Sequence, residues 1–285
     1  MAGMAESKPP VRNISDTARW VAYFRARETQ RPDALFRDPY AERLAGRRGF
    51  EIAGTLRDGA KNEWAWVART YLFDKFVKRE VEAGAELVVN LAAGLDARPY
   101  RMELLAELDW IEADLPEIID YKEEALAEET PKCRLERFRV DLSDGGARKS
   151  FFDELDWRGK RISVMTEGLL IYLAPEEVAA LARDLAAMRY AHSWIIDLAS
   201  PGQLRAMQRT MGQQLSEAGA PFKFGPTEGP NFFADYGWEC KDVQGFLKTA
   251  ADLKRLPAEL HALLPEPLGL PGNFPWSGAC LLKKR

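Results

Sequence analysis

From residue 84 to residue 200, short apolar runs alternate with amphipathic stretches, and this cadence constrains the fold more than any other feature of the chain. The runs Glu86–Ala92, Trp110–Ala113, Leu135–Val140, Ile162–Thr166 and Trp194–Leu198 are four to seven residues long. That is too short for a stable helix and suits strands covered on both faces of a parallel sheet. Between them, periodic stretches near Glu117–Ala127, Ala147–Leu155 and Pro175–Met188 predict helices. Strands alternating with helices form βαβ units, so the expected fold is α/β with a doubly wound, mostly parallel sheet. Two later runs, Trp238–Val243 and Ala279–Lys283, are expected to form an antiparallel pair at the sheet edge.

The flanking segments read differently. Residues 1–13 are polar with paired prolines and are expected to be a disordered lead. A helix is expected to begin near Ser15 or Asp16, either of which suits a cap, and to run through Trp20, Val21 and Phe24. Pro32 and Pro39 break residues 31–48 into short pieces, and Trp64, Val67, Ala68, Tyr71, Leu72 and Phe76 then fall at helical spacing until Gly84 stops them. Residues 202–230 begin as a helix and end rich in Gly and Pro, as an inserted lid would. The expected division is one domain over 14–285: a helical cap (14–83), a ligand-binding core (84–200), a lid insertion (201–235) and C-terminal strands (236–285).

Composition removes several classes of function. The 285 residues are 46% hydrophobic with a net charge of −4, which suits a sizeable core and disfavours nucleic acid as partner. Three dispersed cysteines without a CxxC pair point to neither a zinc site nor a disulfide framework, and no His/Cys/Asp cluster has metal-ligand spacing. Neither a signal-peptide core nor an apolar run of 18 residues occurs, so the expectation is a cytoplasmic protein without a membrane span, monomeric or dimeric.

The chemistry concentrates at the carboxyl ends of the predicted strands. The first strand runs into Asn90-Leu91-Ala92-Ala93-Gly94-Leu95-Asp96-Ala97-Arg98, small residues that let backbone approach a ligand, and twenty positions beyond Gly94 stands Asp114 at the end of the second strand. An acid there is placed to accept hydrogen bonds from ribose hydroxyls, which indicates a nucleoside cofactor without saying which one. Leu95-Asp96-Ala97 lacks the second glycine that a pyrophosphate loop needs, which disfavours a nicotinamide-dependent oxidoreductase. Asp141-Leu142 ends the third strand and Glu167-Gly168 the fourth. Any one acid at a strand end is commonly a solvated turn residue, but three in succession would converge on one crevice outside the sheet.

These pieces together resemble the leucine carboxyl methyltransferase superfamily, in particular its bacterial O-methyltransferase branch with carboxyl methyltransferases of polyketide biosynthesis of the tetracenomycin type. The resemblance rests on Asp16-Thr17-Ala18, Tyr23-Phe24-Arg25-Ala26-Arg27-Glu28, Asp38-Pro39-Tyr40-Ala41, and Ala68-Arg69-Thr70 with Asp74. It continues through Asn90–Arg101, Glu112-Ala113-Asp114-Leu115-Pro116 with Lys122, Asp141-Leu142, Glu167–Leu173, Tyr236-Gly237-Trp238 and Trp276-Ser277, in family order. It implies a class I, Rossmann-like methyltransferase fold and S-adenosyl-L-methionine as cofactor. By match to the family pattern, Arg69 grips the cofactor's carboxylate, with Arg25 (or, less well placed, Arg27) as a second cation. Gly94 lies beneath the methionine portion, Asp114 takes the ribose, Asp141 and Leu142 clamp the adenine, Glu167 stands near the amino group and Tyr172 faces the substrate. Ala92 departs from the pattern, standing where glycine is common.

With only two histidines, His192 at a strand entrance and His261 in a late helix, the crevice lacks the usual base for a phenol, although Glu167 or Asp141 could act as one. The expected activity is therefore methylation of a small-molecule carboxylic acid to its methyl ester. Hydroxyl methylation and a non-catalytic nucleoside-binding protein remain as alternatives. Trp64, Trp66 and Trp276 are candidates for an aromatic acceptor pocket.

Overall fold

The computed structural model describes residues 14–55, 62–217 and 219–285, with side chains from Asp16 onward. The expected lead at 1–13 lies outside the described residues. Helix α1 (Ile14–Thr29), α2 (Ala41–Thr55) and α3 (Glu63–Glu82) precede the first strand. Asp16 sits within the first turn of α1 rather than ahead of it, and holds Arg48 of α2 at 2.7 Å. Helix α2 kinks at Gly46, whose φ of 54° is left-handed. Gly84 ends α3 as expected, with φ 91° and its N–H on the Val81 carbonyl.

The strands are β1 (Leu87–Leu91), β2 (Asp109–Asp114), β3 (Arg134–Arg139), β4 (Ile162–Thr166), β5 (Ala191–Ala199), β6 (Trp238–Gly245) and β7 (Ser277–Lys284). They form one seven-stranded sheet in the order β3-β2-β1-β4-β5-β7-β6. Pairs among β1 to β5 are parallel, and β7 runs antiparallel to both β5 and β6. The helices between them are α4 (Arg98–Arg101), α5 (Pro116–Ala125), α6 (Gly145–Trp157), α7 (Pro175–Ala187), α8 (Pro201–Glu217) and α9 (Phe246–Asp252). The stretch after β1 is a single helical turn, because Pro99 starts it and Met102 already returns to extended backbone.

Alternation along the strands builds two cores. Val88, Trp110, Met165 and Ile195 point to the face covered by Leu72, Phe73 and Phe76 of α3. Their neighbours Val89, Ile111, Val164 and Ile196 point to the opposite face, beneath Phe151 and Leu155 of α6 and Val178 and Leu185 of α7. Since both faces are covered, β1 and β4 are buried at every residue, and the open positions are the carboxyl ends of the strands. Trp276 lies in the second core with its indole N–H on the Leu270 carbonyl at 3.3 Å. It is therefore packing, and does not join the expected acceptor pocket.

Candidate active site

At the carboxyl ends of β1, β2, β4 and β5 lies a cavity of about 760 Å³. Arg25, Arg69, Gly94 and Asp114 line it, and so do Asp141, Leu142, Glu167 and Tyr172. These eight expected residues thus reach one space, whereas Arg27 does not: it is exposed and pairs with Glu63 at 3.3 Å. Trp64 and Trp66 are also on the wall.

The loop after β1 makes the floor. Gly94 has φ 50°, a left-handed conformation that glycine adopts without strain. Ala92, two residues earlier, has φ 53°. The departure from glycine noted in the sequence therefore falls where the backbone asks for glycine, at a cost of about 1 kcal/mol. Asp114 closes the loop from the side: Oδ2 accepts the Gly94 N–H at 2.6 Å and Oδ1 accepts its neighbour Leu115 N–H at 2.8 Å. Burial pushes the Asp114 carboxyl upward against those two bonds. Each oxygen keeps a second lone pair for a hydroxyl donor.

Arg69 reaches across from α3. Its Nε lies 3.1 Å from Glu167 at the end of β4, and its Nη1 lies 3.3 Å from Asp197 in β5. Gly168 allows this: its φ is 70°, and a Cβ there would stand 3.0 Å from the Arg69 guanidinium. The Gly168 N–H in turn donates to Asp197 Oδ1 at 2.8 Å, and the Asp197 carboxyl is raised by burial against the pull of Arg69. Neither Asp74 nor Glu63, the possible partners on the same helix, holds Arg69.

Below Glu167 lies Arg98, which is 2% exposed and bridges Asp74 at 2.6 Å, Glu167 at 2.8 Å and Asp96 at 2.9 Å. Burial opposes its charge, but the three carboxylates hold it firmly protonated. Asp96 also accepts from Asn90 at 2.9 Å. Arg25 is committed as well, to Asp38 at 2.8 Å and to the Leu95 carbonyl at 2.5 Å. Asp141 is exposed, and two bonds from Ser143 lower its carboxyl below the ordinary range. Tyr172 sits in a 3₁₀ turn (Leu170–Tyr172), its phenol raised by burial and bonded to Thr17.

Asp197 and Arg98 were not singled out from the sequence. Asp197 follows the same logic as the other strand-end acids, since it sits one residue before the end expected for its strand, so the signal was present. Arg98 was visible within the loop, but its three partners lie 2, 24 and 69 positions away. Among the described residues, no histidine, cysteine or lysine lines the cavity, and no group of three His, Cys, Asp or Glu could hold a metal ion. His192 instead binds Glu80 at 3.1 Å, and no described helix is long and apolar enough to cross a membrane.

Comparison with known proteins agrees with this geometry. Residues 18–186 match the sequence model of the leucine carboxyl methyltransferase family. A protein of Parafrankia sp. named as an S-adenosyl-L-methionine-dependent methyltransferase is 31% identical over 275 residues, covering 87% of this chain and 84% of its own. A similarly named protein of Frankia alni is 31% identical over 260 residues, covering 84% and 88%. Among solved structures, a methyltransferase assignment from Thermobifida fusca superposes with a TM-score of 0.60 at 16% identity, over 97% of this chain and 96% of that one. A DUF574 family protein from Streptomyces avermitilis also gives 0.60, at 12% identity, over 94% and 97%. At such identities the structures speak to the fold, and it is the same fold.

Proposed function

The chain belongs to the leucine carboxyl methyltransferase family and is an S-adenosylmethionine-dependent methyltransferase; on that premise we propose that it methylates the carboxylate of a small molecule to a methyl ester. The cavity suits the donor. Gly94 and Gly168 keep its floor and wall free of side chains, and Asn90 Oδ1 and Thr70 Oγ1 are buried on its wall without a hydrogen-bond partner. Asp114 would take the ribose hydroxyls, and Asp141 with Leu142 the adenine. Arg69 has five N–H donors, two of them placed on Glu167 and Asp197, and would take the donor's carboxylate. Glu167 would stand near the amino group, while Arg25, already held by Asp38 and Leu95, would contribute charge more than hydrogen bonds.

The observation that carries the carboxylate reading is that, among the described residues, no histidine, cysteine or lysine lines the cavity and the acids around Arg69 and Arg98 are already paired. Of the other acids on the wall, Asp114 holds the Gly94 and Leu115 N–H groups, Glu177 holds the Ala174 N–H, and Glu176 is exposed. Glu167 is held by Arg69 and Arg98, Asp197 by Arg69 and the Gly168 N–H, and Asp96 by Arg98 and Asn90. Asp141 is lowered and Tyr172 raised, so one is a poor base and the other stays neutral. A phenol, with pKa near 10, needs a base here; a carboxylate, with pKa near 4, arrives ionised. The bound donor supplies a methyl group on a sulfonium, which leaves as a thioether while an acceptor oxygen forms the new C–O bond, with no proton released by a carboxylate. The protein's part is alignment and exclusion of water, with reacting atoms held about 3–3.5 Å apart.

The test uses methyl-labelled S-adenosylmethionine. Mild base is expected to release the label from the product as volatile methanol, and the rate to be flat from about pH 6 to 9, because the acceptor's own ionisation lies far below. A base-stable label with a rate climbing through that range would identify an ether and overturn the carboxylate reading.

A further inference from the structure

Half of the cavity is unlike the strand-end half. Met207, Met211 and Leu215 of α8 join Trp20, Trp66 and Phe222 in one hydrophobic cluster, and all six line the cavity. Phe222 packs on Tyr172 with ring centroids 5.6 Å apart. This wall is tied down: Lys223 and Phe224 donate backbone N–H groups to the Ile171 carbonyl at 2.7 and 3.2 Å, and Gln208 Nε2 donates to the Phe222 carbonyl at 2.9 Å. The charges of α8, Arg205, Arg209 and Glu217, are exposed and off the wall, and the polar residues it contributes, Gln203 and Thr210, are uncharged.

We infer that the acceptor is an apolar monocarboxylic acid whose hydrocarbon or aromatic body fills this chamber, with Met207 and Met211 setting specificity; the inference rests on the carboxylate reading above. A second charge on the acceptor would lose its hydration here and meet no partner on the α8 wall. A peptide C-terminus would bring backbone N–H and C=O groups with the same need. Methionine is unbranched and pliable, so the chamber selects for apolarity more than for one outline.

Octanoate, 2-naphthoate, butanoate, succinate and 2-naphthol, each assayed with labelled S-adenosylmethionine, test it. Octanoate is expected to exceed butanoate in kcat/KM by about tenfold or more, since each buried methylene adds to binding, with 2-naphthoate used and succinate not. Met207→Glu is expected to lower kcat/KM for octanoate by about tenfold or more, because it buries an unpaired charge, while calorimetry still shows S-adenosylhomocysteine binding. Should that variant fail to fold, Thr210→Glu sets the same charge at the exposed edge and is expected to raise KM for octanoate about threefold. Equal use of octanoate, butanoate and succinate, or no label on any acid by a protein that binds S-adenosylhomocysteine, overturns the chamber inference. Base-stable label on 2-naphthol alone overturns the carboxylate reading beneath it.

Discussion

Two buried ion-pair systems in this molecule use the same chemistry to different ends. Glu112 and Lys122, both 0% exposed, meet at 2.7 Å, and Arg137 reaches the other oxygen of Glu112 at 2.9 Å. That cluster lies between β2, α5 and β3 and touches no part of the cavity. The second system runs from Asp74 through Arg98, Glu167 and Arg69 to Asp197, and all of these except Asp74 line the cavity. Strength of pairing does not separate the two, since both hold contacts near 2.7 Å. Access to open space does. A closed pair only holds helix to sheet, whereas an open one has capacity left for a ligand.

The largest expected effect belongs to the closed cluster. Lys122→Met leaves Glu112 buried with one partner, and urea unfolding is expected to show a loss of about 3 kcal/mol or more, with S-adenosylhomocysteine affinity of the folded protein unchanged. A fall in affinity would break the comparison. The closed group at Glu80 gives a pH signature. Burial alone would raise this carboxyl, but hydrogen bonds from His192, Lys283 and Ser193 together hold it down at about 2. Its folded value is below its unfolded value near 4.5, so the stabilisation is present above that pH and is lost as pH falls from about 4.5 towards 2, up to about 3 kcal/mol in all. Glu80→Gln should flatten that part of a stability–pH curve, and a curve of unaltered slope would remove Glu80 as its source. The smallest effect on folding belongs to the open system. Arg69→Ala is expected to weaken S-adenosylhomocysteine binding by about ten- to a hundredfold, with a change in stability of only about 1 kcal/mol. A variant that loses stability but keeps full affinity would make Arg69 a strut like Lys122.

The sequence displayed the sheet more readily than the electrostatics. All seven strands were legible; β1 and β4, covered on both faces, had to be apolar throughout, and the last two strands were expected to pair antiparallel, as they do. Helix α9 was not foreseen, since seven residues with Phe246, Leu247 and Ala250 buried are too few to show a period. The acids at the ends of β2, β3 and β4 were legible as types, while Asp197 in β5 and Arg98 were not singled out. The pairings of the site were not legible: Arg69 meets carboxylates 98 and 128 positions away, and spacing along one helix carries no information about them. Trp276 was misplaced for a related reason, because an indole reads the same in a sequence whether it faces a ligand or the core.

The order of the sheet also bears on how the protein emerges from the ribosome. Strand β7 is the latest of the seven in the chain, yet it lies between β5 and β6 and is the sheet neighbour of both. During vectorial synthesis, β1 to β5 can assemble as they appear, but β6 has no strand to pair with until Ser277–Lys284 follows it. For that interval β5 presents an unsatisfied edge carrying Trp194, Ile195 and Ile196, an adhesive surface on a nascent polypeptide. The seventh strand works as a wedge driven in after the other six, and the sheet is sealed only once it arrives.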